Sequence, residues 1–510
     1  MIDALKKFIR SRFFLGAVVI LLQFAILVAI LSWLFEVFVP IVVLAWIFYF
    51  VVLLYILNRD EIPENKLPWV VILMVIPIFG SFLFLLLSNN KASKKDYVRF
   101  EKSAKKIRPH LTQTNNIDKL KELDVDAYAQ AKYLQLGAKV PVFDRSKTTY
   151  YPLGEDFHAD LVKELKSAKS FIFMEYFIVQ EGKMWSPIFE VLKEKVKQGV
   201  EVYMMYDDLG CIATLPEDFY EQMQKEGINC VPCNKFKPIL SHIHNNRDHR
   251  KITVIDGKVG FTGGINLADE YINAYVKHGH WKDTAVKIEG EAVKSLSALF
   301  ISLWNMQNER QLDCDKYLFM SKGGDKGTGY VIPFGDSPSP IDTEDVGKTV
   351  YINMLNCAKD YVYITTPYLI CDRELLNAMC NAARRGVDVR IITPHIPDKK
   401  AVFLMTRSNY IKLIESCVKV YEYTPGFIHA KSFVSDDKFA VCGTINLDYR
   451  SLVHHFECGA WMYNTESIAD MKDDFENTLE KSQAISKAQA QLPFLEKLFA
   501  EIMKVFSPLL

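Results

Sequence analysis

The sequence predicts an α/β protein in which two related repeats, each a β-sheet flanked by helices, form one composite site behind a set of transmembrane helices. Three observations predict it. The front of the chain is a long apolar run almost without charge. Beyond residue 110, strand-like apolar runs alternate with amphipathic helical stretches. One set of polar residues then occurs twice, at a fixed offset.

From Phe13 to Leu57 there are 45 residues with a single charge, Glu36. One membrane crossing takes about 20 apolar residues, so the run holds two crossings, or one crossing and an interfacial helix. Glu36 and Pro40 mark the expected bend. A polar loop over residues 58–66 follows, and Trp69 to Leu87 is a second apolar stretch with Pro77 and Gly80 inside it. Such lengths exceed what a buried core helix carries, and the return of the apolar pattern after the loop excludes a cleaved signal peptide. The expected place is therefore the cell membrane, multi-pass, with two or three crossings. Residues 91–110 hold eight Lys or Arg against Asp96 and Glu101, which by the positive-inside bias puts the large C-terminal part in the cytoplasm. That flank also suits anionic lipid headgroups or a solvated stop.

Ser170–Ile178 reads as a buried strand, residues 187–198 as a helix and Val200–Tyr206 as the next strand. Tyr361–Leu369, a helix around Arg373–Arg385 and Val387–Ile392 repeat that passage. Alternation of this kind is the signature of a mixed or mostly parallel sheet covered by helices. The expected organisation is a membrane anchor over 1–90, a basic segment over 91–110 and a first repeat over 111–320. A Gly, Pro and Ser-rich linker over 325–344, a second repeat over 345–485 and an amphipathic helix over 486–510 complete it. In that last helix Leu495, Leu498, Phe499, Ile502 and Phe506 form an apolar stripe, expected to pack on the catalytic core, or else to touch a membrane interface.

The first polar set reads His249-Arg-Lys251-Ile-Thr-Val-Ile-Asp256, then Gly263-Gly-Ile-Asn266. The second reads His429-Ala-Lys431-Ser-Phe-Val-Ser-Asp436, then Gly443-Thr-Ile-Asn446, offset by 180 residues. In extended chain His249 and Lys251 share a face, as do His429 and Lys431, while Arg250 points away. Glycine beside each asparagine permits close backbone approach. Two imidazoles, two ammonium groups and two amides converging on one centre suit a phosphoryl group. One histidine attacks phosphorus, the other protonates the departing oxygen, and the lysines and asparagines stabilise the charged oxygens. The scheme calls for no metal and no cofactor.

The doubled His-x-Lys-x4-Asp pattern resembles the phospholipase D superfamily, and the chain is most similar to bacterial cardiolipin synthases. The apolar front end, residues 245–251, Trp281-Lys-Asp-Thr284, residues 445–451 and the terminal Ser507-Pro-Leu-Leu510 carry that resemblance. It implies a fold of two phospholipase D-like repeats and transfer of a phosphatidyl group between two phosphatidylglycerol molecules, giving cardiolipin and glycerol. The alternatives are a lipid hydrolase releasing phosphatidic acid, another phosphatidyltransferase, or an inactive membrane scaffold. By the same resemblance His249 is the nucleophile and His429 the general acid and base. Lys251, Lys431, Asn266 and Asn446 hold phosphate, and Asp256 and Asp436 complete the motifs in a mainly structural part. Asp283 and Glu457 follow the first and second loops, and each is expected to orient the histidine of its own repeat.

Length and charge set the outer bounds. The 510 residues suffice for roughly three folded units at about 150 residues each. The 61 basic residues are balanced by 61 acidic ones, which argues against a nucleic-acid partner; phosphatidylglycerol, other anionic phospholipids and the membrane itself are the expected partners. Gly347-Lys-Thr349 lacks the glycine a phosphate-binding loop needs at position 342. Cys230 and Cys233 are a single pair, a poor zinc site by themselves. His242, His244, Tyr176, Tyr368 and Arg450 read either as substrate contacts or as ordinary surface and core residues.

Overall fold

A computed structural model describes residues 12–37, 39–61, 63–88, 94–111, 116–235, 246–319, 327–342 and 344–509. His242 and His244 lie outside them. The chain divides into two compact units. One takes in the apolar N-terminal helices with the last residues of the chain; the other is Ala92–Lys235 with Asn246–Met503.

In the first unit, helices α1 (Arg12–Val37) and α2 (Val39–Asn58) contain spans of 20 and 19 residues long and apolar enough to cross a membrane. The stretch from Trp69 to Leu87 is no such span. Proline lacks the amide hydrogen that would continue the ladder, and here the run is broken into α3 (Pro63–Val75) and α4 (Pro77–Leu87). Trp69 and Leu73 from α3 and Phe84 from α4 are buried with Val52 and Ile56 of α2. Of the two or three crossings expected, two helices among the described residues have the length.

The second unit holds two sheets of one design. The first contains β1 (Lys147–Tyr151), β2 (Phe171–Tyr176), β3 (Glu201–Asp207), β4 (Asn229–Cys233), β5 (Ile252–Ile255), β6 (Val259–Gly263) and β8 (Ala285–Glu289), in the order β1-β8-β6-β5-β2-β3-β4. The short strand β7 (His280–Lys282) stands outside it. The second sheet contains β9 (Tyr330–Asp336), β10 (Tyr361–Thr365), β11 (Asp388–Pro394), β12 (Lys419–Tyr423), β14 (Ser432–Ser435), β15 (Phe439–Gly443) and β16 (Glu457–Tyr463). Their order is β9-β16-β15-β14-β10-β11-β12, with Phe143–Asp144 and Ser482–Ala484 added at the edges; a short strand outside it, β13 (Gly426–Ile428), pairs with β7. In both sheets β2-β3-β4 and β10-β11-β12 are parallel and the remaining pairs antiparallel. The expected α/β fold with two repeats is what the chain adopts.

The repeat boundaries differ from those expected. Residues 325–344 contain β9, buried along its length and paired with β16 over seven residues. Residues 116–144 pack on the second repeat, not the first: Ile117, Leu120, Ala131 and Leu134 share a core with Val346, Tyr351 and Trp461. Glycine and proline in the linker region suggested exposure, but its Tyr330-Val-Ile-Pro-Phe334 run is apolar enough to complete a sheet. The basic segment is also more than a stop. Helix α5 (Lys94–Ile107) buries Ser103 and Ile107 against a helix over Val293–Gln307, with Asn305 donating to Ser103 Oγ at 3.1 Å, while Lys102, Lys105, Lys106 and Arg108 stay exposed. At the other end, the stripe expected to pack on the core is open: Leu495 is 75% and Ile502 50% exposed.

Candidate active site

Each His-x-Lys run lies just ahead of the central antiparallel strand of its sheet, β5 or β14, with buried sheet on both sides. The strand then ends on the motif aspartate. Asp256 and Asp436 turn the chain with φ of 53° and 55°, a left-handed conformation that aspartate tolerates. Asp256 accepts the amides of Lys169, Ser170 and Phe171, and Asp436 those of Lys359, Asp360 and Tyr361, all at 2.7–3.0 Å. Three amide donors apiece occupy these carboxylates where β2 and β10 begin. They fasten neighbouring strands and do not join the catalytic set with which the motif groups them.

The four basic residues are almost wholly buried: His249 is 6% exposed, Lys251 2%, His429 7% and Lys431 1%. Their acidic partners come from the opposite repeat. His249 Nδ1 lies 2.9 and 3.0 Å from the two carboxylate oxygens of Glu457, and His429 Nδ1 lies 2.6 Å from Asp283 Oδ2. This corrects the expectation that each acid serves the histidine of its own repeat. The physical reason is a pair of parallel bridges between the repeats. Asp248 is bridged to Phe456, with the His249 amide donating to the Phe456 carbonyl at 2.9 Å. On the other side β13 pairs with β7, Ile428 opposite Lys282, and the His429 amide donates to the Lys282 carbonyl at 2.7 Å. Each histidine therefore stands one residue past a bridge whose other arm carries an acid one residue on.

The glycine loops make this closeness possible. A Cβ at Gly264 would sit 2.1 Å from Asp283 Oδ1, and one at Gly443 would sit 2.5 Å from the Cys458 carbonyl. Thr444 replaces Gly264 in the second loop, and its hydroxyl donates to Glu457 Oε2. Ser451 Oγ donates to Glu457 Oε1 at 2.5 Å. The loop asparagines differ as well. Asn266 is fully engaged: Oδ1 accepts the Ile178 amide at 2.9 Å and Nδ2 donates to the Tyr271 hydroxyl at 2.7 Å. Asn446 Oδ1 is buried without a hydrogen-bond partner, and the residue is tied instead by its amide, which donates to Ser451 Oγ at 2.7 Å.

Burial governs the protonation of the site. It drives the His249 imidazole down to about 3, with Lys251 adding to the shift and Glu457 opposing it. Burial also takes His429 well below its ordinary value, with help from Lys431 and Lys251. The lysines fall for the same reason, Lys251 to about 8 and Lys431 to about 7. The two acids part company. Burial pushes Asp283 up to about 7 against Lys431 and the Thr284 amide, whereas for Glu457 the charge and hydrogen bonds of His249 outweigh burial and hold the carboxyl well below the usual range. Lys251 Nζ donates to its neighbour's carbonyl, that of His249, at 2.6 Å; Lys431 Nζ reaches both the His429 carbonyl and, at 2.8 Å, His429 Nδ1.

Sequence reasoning passed over two residues of this neighbourhood. Arg250 does point away from the lysine face, but its Nε donates to the Glu457 carbonyl at 3.1 Å and its guanidinium lies over the Phe456 ring. His455 stands two residues before Glu457, as Trp281 stands two before Asp283, and that parallel spacing was the available signal. Tyr176 is buried against Thr253, Tyr368 donates to Asp398 Oδ2 at 2.6 Å, and Arg450 is exposed.

Two copies of one mixed sheet, each giving a His–Lys pair and a glycine–asparagine loop to a shared buried centre, define a phospholipase D-type phosphoryl-transfer enzyme. Comparison with known proteins agrees. The family profile described as "Cardiolipin synthase, PLD-like domain" matches residues 161–304 and 351–479, and one described as "Phospholipase_D-nuclease N-terminal" matches residues 43–89. A cardiolipin synthase of Alkalihalophilus pseudofirmus is 34% identical over 90% of this chain and 91% of its own length. A cardiolipin synthase 2 of Bacillus cereus is 34% identical over 85% and 84%, and an uncharacterized protein of Streptococcus mutans 43% identical over 90% and 99%. The phosphatidylserine synthase of Haemophilus influenzae shares the fold, with a TM-score of 0.56 at 15% identity over 74% of this chain and 97% of that one. The chain belongs to the phospholipase D-like cardiolipin synthase family. It is a membrane-associated phosphatidyltransferase acting on phospholipids.

Proposed function

We propose that the enzyme makes cardiolipin from two phosphatidylglycerol molecules and releases glycerol, with His249 carrying the phosphatidyl group between them. The observation that supports this reading is the unequal partnering of the two imidazoles: Nδ1 of His249 faces both oxygens of Glu457, and Nδ1 of His429 faces Asp283 and Lys431. Glu457 is ionised and accepts from His249, so the proton of His249 sits on Nδ1 and the Nε2 lone pair is free to attack phosphorus. On His429, Lys431 donates to Nδ1 and Asp283, pushed up to about 7, faces the same atom, an arrangement that favours the ring proton on Nε2, ready for a leaving oxygen.

In the first step a bond forms from His249 Nε2 to phosphorus and the phosphorus–oxygen bond to glycerol breaks. The His429 Nε2 proton passes to that oxygen as one of the donors facing Nδ1, Asp283 or Lys431, passes a proton to that nitrogen, so the ring stays neutral. In the second step His429 Nε2 takes the proton of a headgroup hydroxyl on the second lipid while Nδ1 returns its proton to the partner that gave it, and the hydroxyl oxygen attacks phosphorus and releases His249. Lys251 and Lys431 neutralise the equatorial oxygens. One phosphodiester replaces another, so no nucleotide is consumed. Water loses to the lipid alcohol because the bound alcohol is held at high effective concentration.

Helices α1 and α2 are read as two crossings of the cell membrane, which leaves both basic flanks, and the catalytic unit, in the cytoplasm. The test is to supply the purified enzyme in mixed micelles with phosphatidylglycerol alone and to follow lipids and glycerol by mass spectrometry. Cardiolipin with equimolar glycerol is expected. Phosphatidic acid in its place would make the enzyme a hydrolase.

A further inference from the structure

His455 faces the site and the reaction just described gives it nothing to do. Its side chain is 10% exposed, and neither ring nitrogen has a hydrogen-bond partner. Nδ1 stops 3.6 Å from Glu457 Oε1, beyond hydrogen-bond reach, and the ring centre is 5.6 Å from that of His249. The residue in the matching place of the other repeat, Trp281, also stands 5.6 Å from its histidine, His429, with one buried nitrogen, Nε1, that only donates and could not ligate a metal. An imidazole in that place leaves two buried nitrogens unsatisfied, at a cost that calls for a ligand. The backbone holds it there: the His455 amide donates to the Arg450 carbonyl at 2.9 Å and closes the wide turn over Arg450–His454.

His249, His455 and Glu457 each offer one donor atom, and the three atoms lie within 4.8 Å of one another. A tetrahedral zinc ion with bonds of about 2.1 Å spaces its ligand atoms by about 3.4 Å. The separations of 2.9 Å between His249 and Glu457 and 3.6 Å between His455 and Glu457 bracket that value. Two imidazoles and one carboxylate suit zinc and its neighbours, not magnesium or calcium. We propose that His455 completes a site for a zinc-type divalent cation with His249 and Glu457, and that the bound ion arrests the enzyme reversibly by taking the donors these two residues use on each other. The nearby Lys251 ammonium opposes the ion, so the site is a reversible one and not a permanent structural centre.

Arrest rests on the reading of His249 as a reacting group; binding does not. The test therefore has two arms on the full-length enzyme in micelles. In the first, Zn²⁺ alone is titrated by calorimetry without lipid substrate, and Co²⁺ serves as a visible-absorption probe of the coordination. One ion per chain is expected, bound about 10- to 100-fold more weakly by His455→Asn. In the second, zinc inhibits phosphatidyl transfer and a chelator restores it, while His455→Asn keeps its zinc-free rate and resists inhibition. His455→Gln, with circular dichroism and thermal unfolding of both variants, guards against a folding defect. Zinc bound equally by wild type and both folded variants would overturn the site, and zinc bound at His455 without inhibition would overturn the arrest. Failure to make cardiolipin would leave the calorimetric arm intact.

Discussion

The two repeats share a strand order, an offset and a motif, yet they surround their histidines differently. Glu457 is met by the hydroxyls of Thr444 and Ser451 as well as by His249, and its carbonyl is held by Arg250. Asp283 sits against a bare Gly264, with the rings of Tyr271, Trp281 and Phe427 near its histidine. Against burial, His249 keeps the first carboxylate ionised, while burial raises the second in spite of Lys431. The duplicated scaffold also differs at Thr444 versus Gly264 and Ser451 versus Tyr271, which give Glu457 two hydroxyl partners that Asp283 lacks. The lesson is that symmetry of the backbone does not carry symmetry of protonation.

Four experiments would break or sharpen that contrast, beginning with the greatest expected loss. His249→Ala and His429→Ala should each lower the transfer rate by about 10⁴-fold or more. A labelled phosphoenzyme should be trapped in His429→Ala and absent from His249→Ala; the reverse pattern would exchange their roles. Next come the acids. Glu457→Gln removes an ionised partner and should cost about 10³-fold in kcat, while Asp283→Asn copies a protonated carboxyl in shape and should cost about 10-fold or less. Equal losses in steady-state assays would show that the repeats are not distinct after all.

The pH profile is a milder probe. Lys251 and Lys431 titrate at about 8 and about 7, so kcat/KM should fall as pH rises through that range and the lysines lose the charge that binds phosphate. For stability the sign is opposite. Their pKa values are lowered in the fold, the unfolded chain binds more protons between about 7 and the ordinary lysine value, and these two groups make the protein more stable as pH rises there. Lys431→Arg should carry the alkaline limb of activity upward; a limb that stays in place would assign it to another group. The smallest effect is on stability alone. Asp436→Ala strands three amides and should cost about 1–3 kcal/mol in denaturant unfolding, with the pH profile of the folded fraction unchanged.

Much of this was legible in one dimension. Apolar length announced the N-terminal helices, continuous apolar runs gave the buried strands, and the 180-residue echo exposed both the repeat and its histidines and lysines. These are local or self-similar properties, readable without contacts. What misled was composition taken as position. Glycine and proline around residues 325–344 suggested a linker where Val331, Ile332 and Phe334 complete a sheet, and the stripe from Leu495 to Ile502 suggested packing where it stays open.

The sequence by itself determined which residues could react and that they come in two sets. Only the tertiary structure decided which acid serves which histidine. Spacing along the chain places Asp283 after His249 and Glu457 after His429, but a carboxylate orients an imidazole through space. The bridges of Asp248 to Phe456 and Ile428 to Lys282 run between the repeats, and they exchange the partners. That exchange makes the site complete only when both repeats are folded against each other.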